Sequence, residues 1–411
     1  MAISKRNIIV GLDIGTSVIK AAIGEINHLN QLQVLGLAQV PSAGVRKGNI
    51  VDIESAARAV ETCLNELERL AGVEIMSTTT GFSSISLAAV NSHAVIAVGN
   101  THYEISPEEK ERVLQSALNI TLPPDQTVVQ VVERQYIIDG YDGVKDPVGM
   151  MGNRLEAEVL MIVAATAAVQ NLQRSAQRIN LQLGQLAYNQ LLAAEAVLLP
   201  AEKEMGVALV DIGGGTTEIS IFYRGFLLST AVLPIGSDYI SKDLAIVLKT
   251  SPQEAVRIKE NYGLAAPEMV RGDIIVNIHN LQGNETRPVP QILIAQIISA
   301  RILEMMEMIY AELQIMIDLD NLPGGVALSG GGAQLPGLVE LMETYMDIPV
   351  RLGIPENLKG LQDEIKKTQN SVALGGLIYG FKNLEPIIVE SRPGVSSVFS
   401  RINFWLKDLF A

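Results

Sequence analysis

Two stretches of this chain, about 200 residues apart, repeat one local device. Ile8-Ile9-Val10-Gly11-Leu12-Asp13-Ile14-Gly15-Thr16-Ser17 and Val207-Ala208-Leu209-Val210-Asp211-Ile212-Gly213-Gly214-Gly215-Thr216-Thr217 each run an apolar strand into Asp, an apolar residue, Gly and a hydroxyl-rich turn. After each turn the chain returns as a second strand, Val18 to Gly24 and Glu218 to Tyr223. This strand–turn–strand plan differs from the strand–turn–helix of a Rossmann or Walker site. A glycine lets backbone N–H groups approach phosphate oxygens without a Cβ in the way, and Thr and Ser hydroxyls add donors. One Asp-x-Gly turn is a common β-turn. Two, after buried strands in separate halves, predict a cleft with an aspartate on each side. Paired carboxylates of this kind suit a hydrated Mg²⁺.

A third glycine cluster, Ser329-Gly330-Gly331-Gly332, follows the short strand Val326 to Leu328 and precedes a helix. A loop without side chains at a helix start can lie flat against a nucleoside. The class predicted is α/β, with two lobes.

Length and charge narrow the function. The 411 residues exceed one ordinary core. A formal charge of -14 argues against a protein that coats nucleic acid, whose affinity rests on neutralising phosphates. One cysteine, Cys63, cannot staple a fold, which suits a reducing compartment. The four histidines (His28, His93, His102, His279) have no metal-ligand spacing and read as surface or loop side chains.

Between the two turns, Asp52 opens an amphipathic helix to Leu70 with Ala56, Ala59, Val60, Cys63, Leu64 and Leu67 on its inner side. From about residue 84 to 163 the pattern changes to strands around a helix capped by Ser106-Pro107-Glu108-Glu109. That stretch is expected to be a small inserted α+β domain. The remaining divisions expected are a first lobe over 1–83 and 164–200, a second-lobe core over 201–236 and 301–384, and an outer subdomain over 237–300. Residues 385–397 read as a linker rich in Pro, Gly and Ser.

The last segment, 398–411, has helical periodicity. Val398, Phe399, Ile402, Trp405, Leu406, Leu409 and Phe410 fall within an arc of about 140° at 100° per residue. Arg401, Lys407 and Asp408 lie opposite. A linker followed by an aromatic amphipathic helix suits an anchor on an anionic membrane surface, through Phe399, Ile402, Trp405, Leu406, Leu409 and Phe410. The alternatives are docking on the protein's own core or on a partner. Such a short helix binds weakly alone, and polymerisation strengthens it by avidity.

The two turns and the late glycines resemble the phosphate and adenosine motifs of the actin, sugar-kinase and heat-shock chaperone superfamily. Within it the chain is similar, over nearly its whole length, to the FtsA family of bacterial cell-division proteins. Gly44-Val45-Arg46-Lys47-Gly48-Asn49-Ile50-Val51-Asp52 and Asp146-Pro147-Val148-Gly149-Met150 also resemble segments of that family. The resemblance implies an actin-like, ribonuclease H-like duplicated core and ATP with Mg²⁺. Asp13 and Asp211 would hold the metal through water. Gly15, Thr16 and Ser17 would hold β/γ-phosphate from one lobe, and Gly213, Gly214, Gly215, Thr216 and Thr217 from the other. Gly330, Gly331 and Gly332 would line the adenosine. Lys20 either neutralises phosphate or faces the surface. Lys259 fits the helix that contacts ribose and base, although Val256 replaces an acid usual three residues before it. Glu195 stands where related ATPases orient the attacking water, and it is otherwise a solvated helix carboxylate. Hydrolysis is expected to be weak at best. The resemblance further implies filaments at the cytoplasmic face of the membrane at the division site, the C-terminal peptide of FtsZ as partner, and other division proteins. The competing readings are a small-molecule kinase of the same superfamily and a pilus-assembly cytoplasmic protein.

Overall fold

The computed structural model describes residues 8–99, 102–356 and 358–383. The expected linker and the membrane-directed Phe399, Ile402, Trp405, Leu406, Leu409 and Phe410 lie outside the described residues. The chain divides into two compact units. The larger comprises residues up to Ala89, Pro124–Gln130 and Ile162–Lys382, and the smaller includes Val90–Pro123 and Val131–Met161.

The larger unit contains the same sheet twice. In the first sheet Ile8–Ile14 pairs antiparallel with Val18–Ile26, which pairs antiparallel with Leu32–Pro41. On its other side Ile8–Ile14 runs parallel to Ser77–Phe82, and that strand parallel to Gln182–Tyr188. In the second, Val207–Ile212 pairs antiparallel with Thr217–Tyr223, then Phe226–Leu233 follows antiparallel. Val207–Ile212 runs parallel to Val326–Ser329, and that strand parallel to Val350–Leu352. The order and directions are the same, so the repeated turn motif is the visible part of a duplicated domain. Lys359–Gly360 adds a sixth strand to the first sheet.

Strands buried on both faces read as apolar runs. Val10 and Leu12 face a core with Val60, Cys63, Leu64 and Leu67 of the helix Ile53–Ala71. Asp52 caps that helix by accepting from the N–H groups of Glu54 and Ser55 at 3.1 and 3.2 Å. Ala57 is buried there, whereas Ala59 is only partly covered. Ile9 faces the opposite core, with Ala373, Leu374 and Leu377 of the helix Ser371–Lys382. Backbone approaches backbone here: a Cβ on Gly375 would stand 1.8 Å from the Leu192 carbonyl oxygen. Only glycine permits that distance.

The strands Ser77–Phe82 and Gln182–Tyr188 are absent from the expected elements, as is Phe226–Leu233. The first reads as polar, yet Thr78, Thr79 and Thr80 are all buried. Thr78 and Thr80 satisfy one another through a 2.8 Å hydroxyl contact.

The second sheet supports helices Asp238–Val247, Pro252–Tyr262 and the 26-residue Gln291–Met316. Met305 and Met306 are buried in its core, which fits the softness of methionine as filler. Residues 275–290 form a two-stranded hairpin, Ile275–His279 against Thr286–Pro290. The smaller unit takes part in a four-stranded sheet with the helix Pro107–Leu118. Ile105, Val113, Ala117, Tyr136 and Leu155 form its core. Ser106 and Glu109 build a reciprocal capping box at the helix start. Among the described residues no helix is long and apolar enough to cross a membrane.

Candidate functional site

In each sheet the aspartate is the penultimate residue of the first strand, one position before the ladder gives way to the Gly-containing turn. Asp13 sits opposite Lys20 in the first hairpin, and Asp211 opposite Glu218 in the second. Lys20 Nζ lies 3.8 Å from Asp13 Oδ2, and its side chain is largely buried rather than surface-facing. Burial raises the Asp13 carboxyl above the usual range, against the pull of Lys20. Burial and then the charge of Asp13 push Asp211 up to about 6. The two carboxylates therefore share one field although they lie on different sheets. Glu218, also buried, is pushed up to about 8 by burial and by Asp211.

The two turns meet. A Cβ on Gly214 would stand 1.8 Å from Ser17 Oγ, and one on Gly215 would stand 2.8 Å from Thr16 Cγ2. The third cluster joins them. Gly330 adopts φ +85, and a Cβ there would meet the Ile212 carbonyl at 2.5 Å and Asp211 Oδ1 at 2.7 Å. Gly332 packs on the Ile212 side chain, while a Cβ on Gly331 would meet nothing within 4 Å. Asp13, Thr16, Ser17, Lys20, Asp211, Gly214, Gly215, Gly330 and Gly332 are thus assembled around one place.

Lys259 reaches the same region: its ammonium donates to the Ser237 carbonyl at 3.4 Å. Ser237 and Asp238 were not among the expected site residues. Their N–H groups donate to the carbonyls of Gly213 and Gly214 at 2.9 and 3.0 Å, which ties the start of the helix Asp238–Val247 to the second turn. The signal was present as Gly236-Ser237-Asp238, a further glycine turn at a helix start. Glu218 was also missed, since within a strand it reads as an ordinary outward-facing carboxylate.

Glu195 does not join this group through its hydrogen bonds. Its carboxylate accepts from Lys203 at 2.9 Å and from Lys382. It lines a groove of about 470 Å³ together with Gln31, Lys203, Lys359 and Lys382. Although burial opposes it, the two ammonium groups hold this carboxyl below the usual range.

The donor set fits a nucleotide with a hydrated divalent cation. Two neighbouring carboxylates, both raised by burial, are the pair that a cation stabilises in the charged form. The glycine surfaces and the Thr16, Ser17 and Thr216 hydroxyls suit phosphate oxygens. Among the described residues no three His, Cys, Asp or Glu converge as a direct metal-binding set.

Comparison with known proteins extends these observations. The family model described as "Cell division protein FtsA" matches residues 208–375, and that described as "SHS2 domain inserted in FTSA" matches residues 85–163. The chain is 35% identical to cell division protein FtsA of Pseudomonas aeruginosa, over 100% of both chains. It is 34% identical to that of Bacillus subtilis, over 94% of this chain and 89% of the other. Among solved structures, a PilM–PilN type IV pilus biogenesis complex matches with TM-score 0.62 at 16% identity, covering 92% of this chain and 99% of that one. MreB5 of Spiroplasma citri bound to ADP matches with TM-score 0.56 at 13% identity, covering 91% and 96%. These two likenesses establish the actin-like fold.

Proposed function

The chain belongs to the FtsA family of cell-division proteins, and from that premise we propose that it binds ATP with Mg²⁺ and tethers FtsZ filaments to the membrane. The convergence of two strand-end turns and the carboxylate pair Asp13–Asp211 carries the nucleotide part. Thr16 and Ser17 bind phosphate from one sheet, and the glycines 213–215 with Thr216 bind it from the other, whereas the buried Thr217 hydroxyl donates to the Ile235 carbonyl. Asp13 and Asp211 orient the waters around the cation, and Lys20 offsets phosphate charge. The surface of Gly331 faces the nucleoside. Bound Mg²⁺-ATP would add an anionic bridge between the turns of the two sheets.

Lys203 and Lys382 occupy the Glu195 carboxylate, which weakens the case for it as the water-orienting group. ATP acts on this reading as a brace between lobes, with slow turnover. The linker and the amphipathic segment 398–411 provide attachment to anionic lipid at the cytoplasmic face, multiplied when copies polymerise. Identity of 35% over the full length to an FtsA protein, against 16% to the pilus complex, favours division over pilus assembly.

Electron microscopy of the protein on anionic lipid monolayers tests the whole reading. Membrane-bound filaments with ATP, and none after deletion of residues 398–411, are the expected result. Equal attachment by the truncated protein would remove the tether. Co-pelleting with the FtsZ C-terminal peptide tests the partner.

A further inference from the structure

The Ser17 hydroxyl donates to the Asp238 carboxylate at 2.6 Å, across 221 positions of chain. The contact sits in the middle of the two turns. A Cβ on Gly214 would stand 1.8 Å from Ser17 Oγ and 2.9 Å from Asp238 Oδ2, so three groups converge on one small volume. Asp238 is held there by its own N–H on the Gly214 carbonyl and by its place in the first turn of a helix. Lys259 is its counter-charge: burial lowers the lysine's affinity for its proton, and Asp238 is the first group that opposes this.

A second contact runs beside the first. The segment Gly44–Asp52 folds as a tight hairpin, with Val45–Arg46 against Asn49–Ile50. Lys47 and Gly48 take φ +49 and +75 at its tip. The Gly48 N–H donates to Thr16 Oγ1 at 3.0 Å, and the Lys47 ammonium lies 5.9 Å from the centroid of the Tyr239 ring. Thr16 and Ser17 are in this way coupled to Tyr239 and Asp238, neighbour to neighbour.

We infer that Asp238 is a specificity-determining residue, whose carboxylate competes with the terminal phosphate for the Ser17 hydroxyl and so limits the preference for a triphosphate over a diphosphate. The inference rests on the ATP-binding reading above. A serine hydroxyl has one proton and serves one acceptor at a time. A phosphate that takes it displaces a carboxylate, and two anions left side by side repel. Lys259, whose ammonium donates to the neighbouring Ser237 carbonyl at 3.4 Å, is the cation in the field of that carboxylate. The extra charge of a triphosphate meets this penalty in full, and a diphosphate less. Asparagine at 238 keeps an acceptor for Ser17 and removes the charge.

The test is calorimetric titration of the full-length protein with Mg²⁺-ADP and with a Mg²⁺-bound non-hydrolysable ATP analogue. Asp238→Asn is expected to raise the triphosphate-to-diphosphate affinity ratio about tenfold. On a Ser17→Ala background the same substitution gains less, because the contested proton is gone. Asp238→Ala gives the same direction and serves if the asparagine variant does not fold. A ratio within twofold of wild type in variants that still bind nucleotide overturns the inference alone. Failure of the wild type to bind either nucleotide overturns the ATP-binding reading, and the inference with it.

Discussion

Glu254 offers the sharpest energetic test of how the second lobe is braced. It lies in the first turn of the helix Pro252–Tyr262, where Ser251 caps the Glu254 N–H at 3.2 Å. Its buried carboxylate accepts from Arg257 Nε and Nη2 at 2.7 and 2.6 Å, from the His279 N–H at 3.0 Å, and faces His279 Nδ1 at 3.3 Å. The helix is thereby pinned to the strand Ile275–His279. Glu254→Gln sets an amide NH₂ against either the guanidinium or the backbone N–H, so donor meets donor. A lost charge-assisted bond with its partner left unsatisfied costs about 2–3 kcal/mol at neutral pH. The pH dependence follows from the donors, chiefly Arg257, that hold this carboxyl at about 2, well below its ordinary 4.5. A depressed carboxylate contributes stability that is complete above its unfolded value and is lost as pH falls through the folded one. The gap between wild type and Glu254→Gln is therefore full at pH 7, narrows below about 4.5 and closes toward 2. Urea unfolding followed by circular dichroism at pH 7 and pH 4, with amide exchange at His279, measures it. Equal stability at pH 7, or a gap that widens on acidification, refutes the reasoning. Because the same helix carries Lys259, the variant should also bind nucleotide more weakly.

Other outcomes are expected from the same geometry. Gly375→Ala drives a methyl to 1.8 Å from the Leu192 carbonyl and should cost about 3 kcal/mol; a melting temperature within a degree of wild type would contradict the packing. Glu195→Ala should lose about 1–2 kcal/mol of stability through its bonds to Lys203 and Lys382 while nucleotide affinity and turnover stay within twofold. A tenfold fall in turnover would return Glu195 to the mechanism. Lys20→Met leaves Asp13 without its neighbouring cation and should weaken triphosphate binding about tenfold, read by the same calorimetry.

The elements legible in the chain were those whose own residues carry the signal. The helix at Pro252–Tyr262 shows its Ser-Pro cap, and the two hairpins show apolar strands with an aspartate next to their last residue. The strand Ser77–Phe82 was not legible, because three buried threonines look solvent-facing until a neighbouring strand covers them. Glu195 shows the same limit: its sixteen-residue distance from Asp211 is read along the chain, whereas the ammonium groups of Lys203 and Lys382 on its carboxylate are visible only in the structure.

The repeated turn, the aspartate near each strand end and the glycines that keep a phosphate-sized surface bare can all be read from the chain alone. These are local properties, set by backbone sterics within about ten residues. Which of these residues stand opposite one another depends on how the chain packs. Asp238 on Ser17, Asp13 in the field of Asp211, and Lys47 over Tyr239 join residues some 190 to 220 positions apart. No periodicity records such pairings, because they arise where the turns of the two duplicated halves come together.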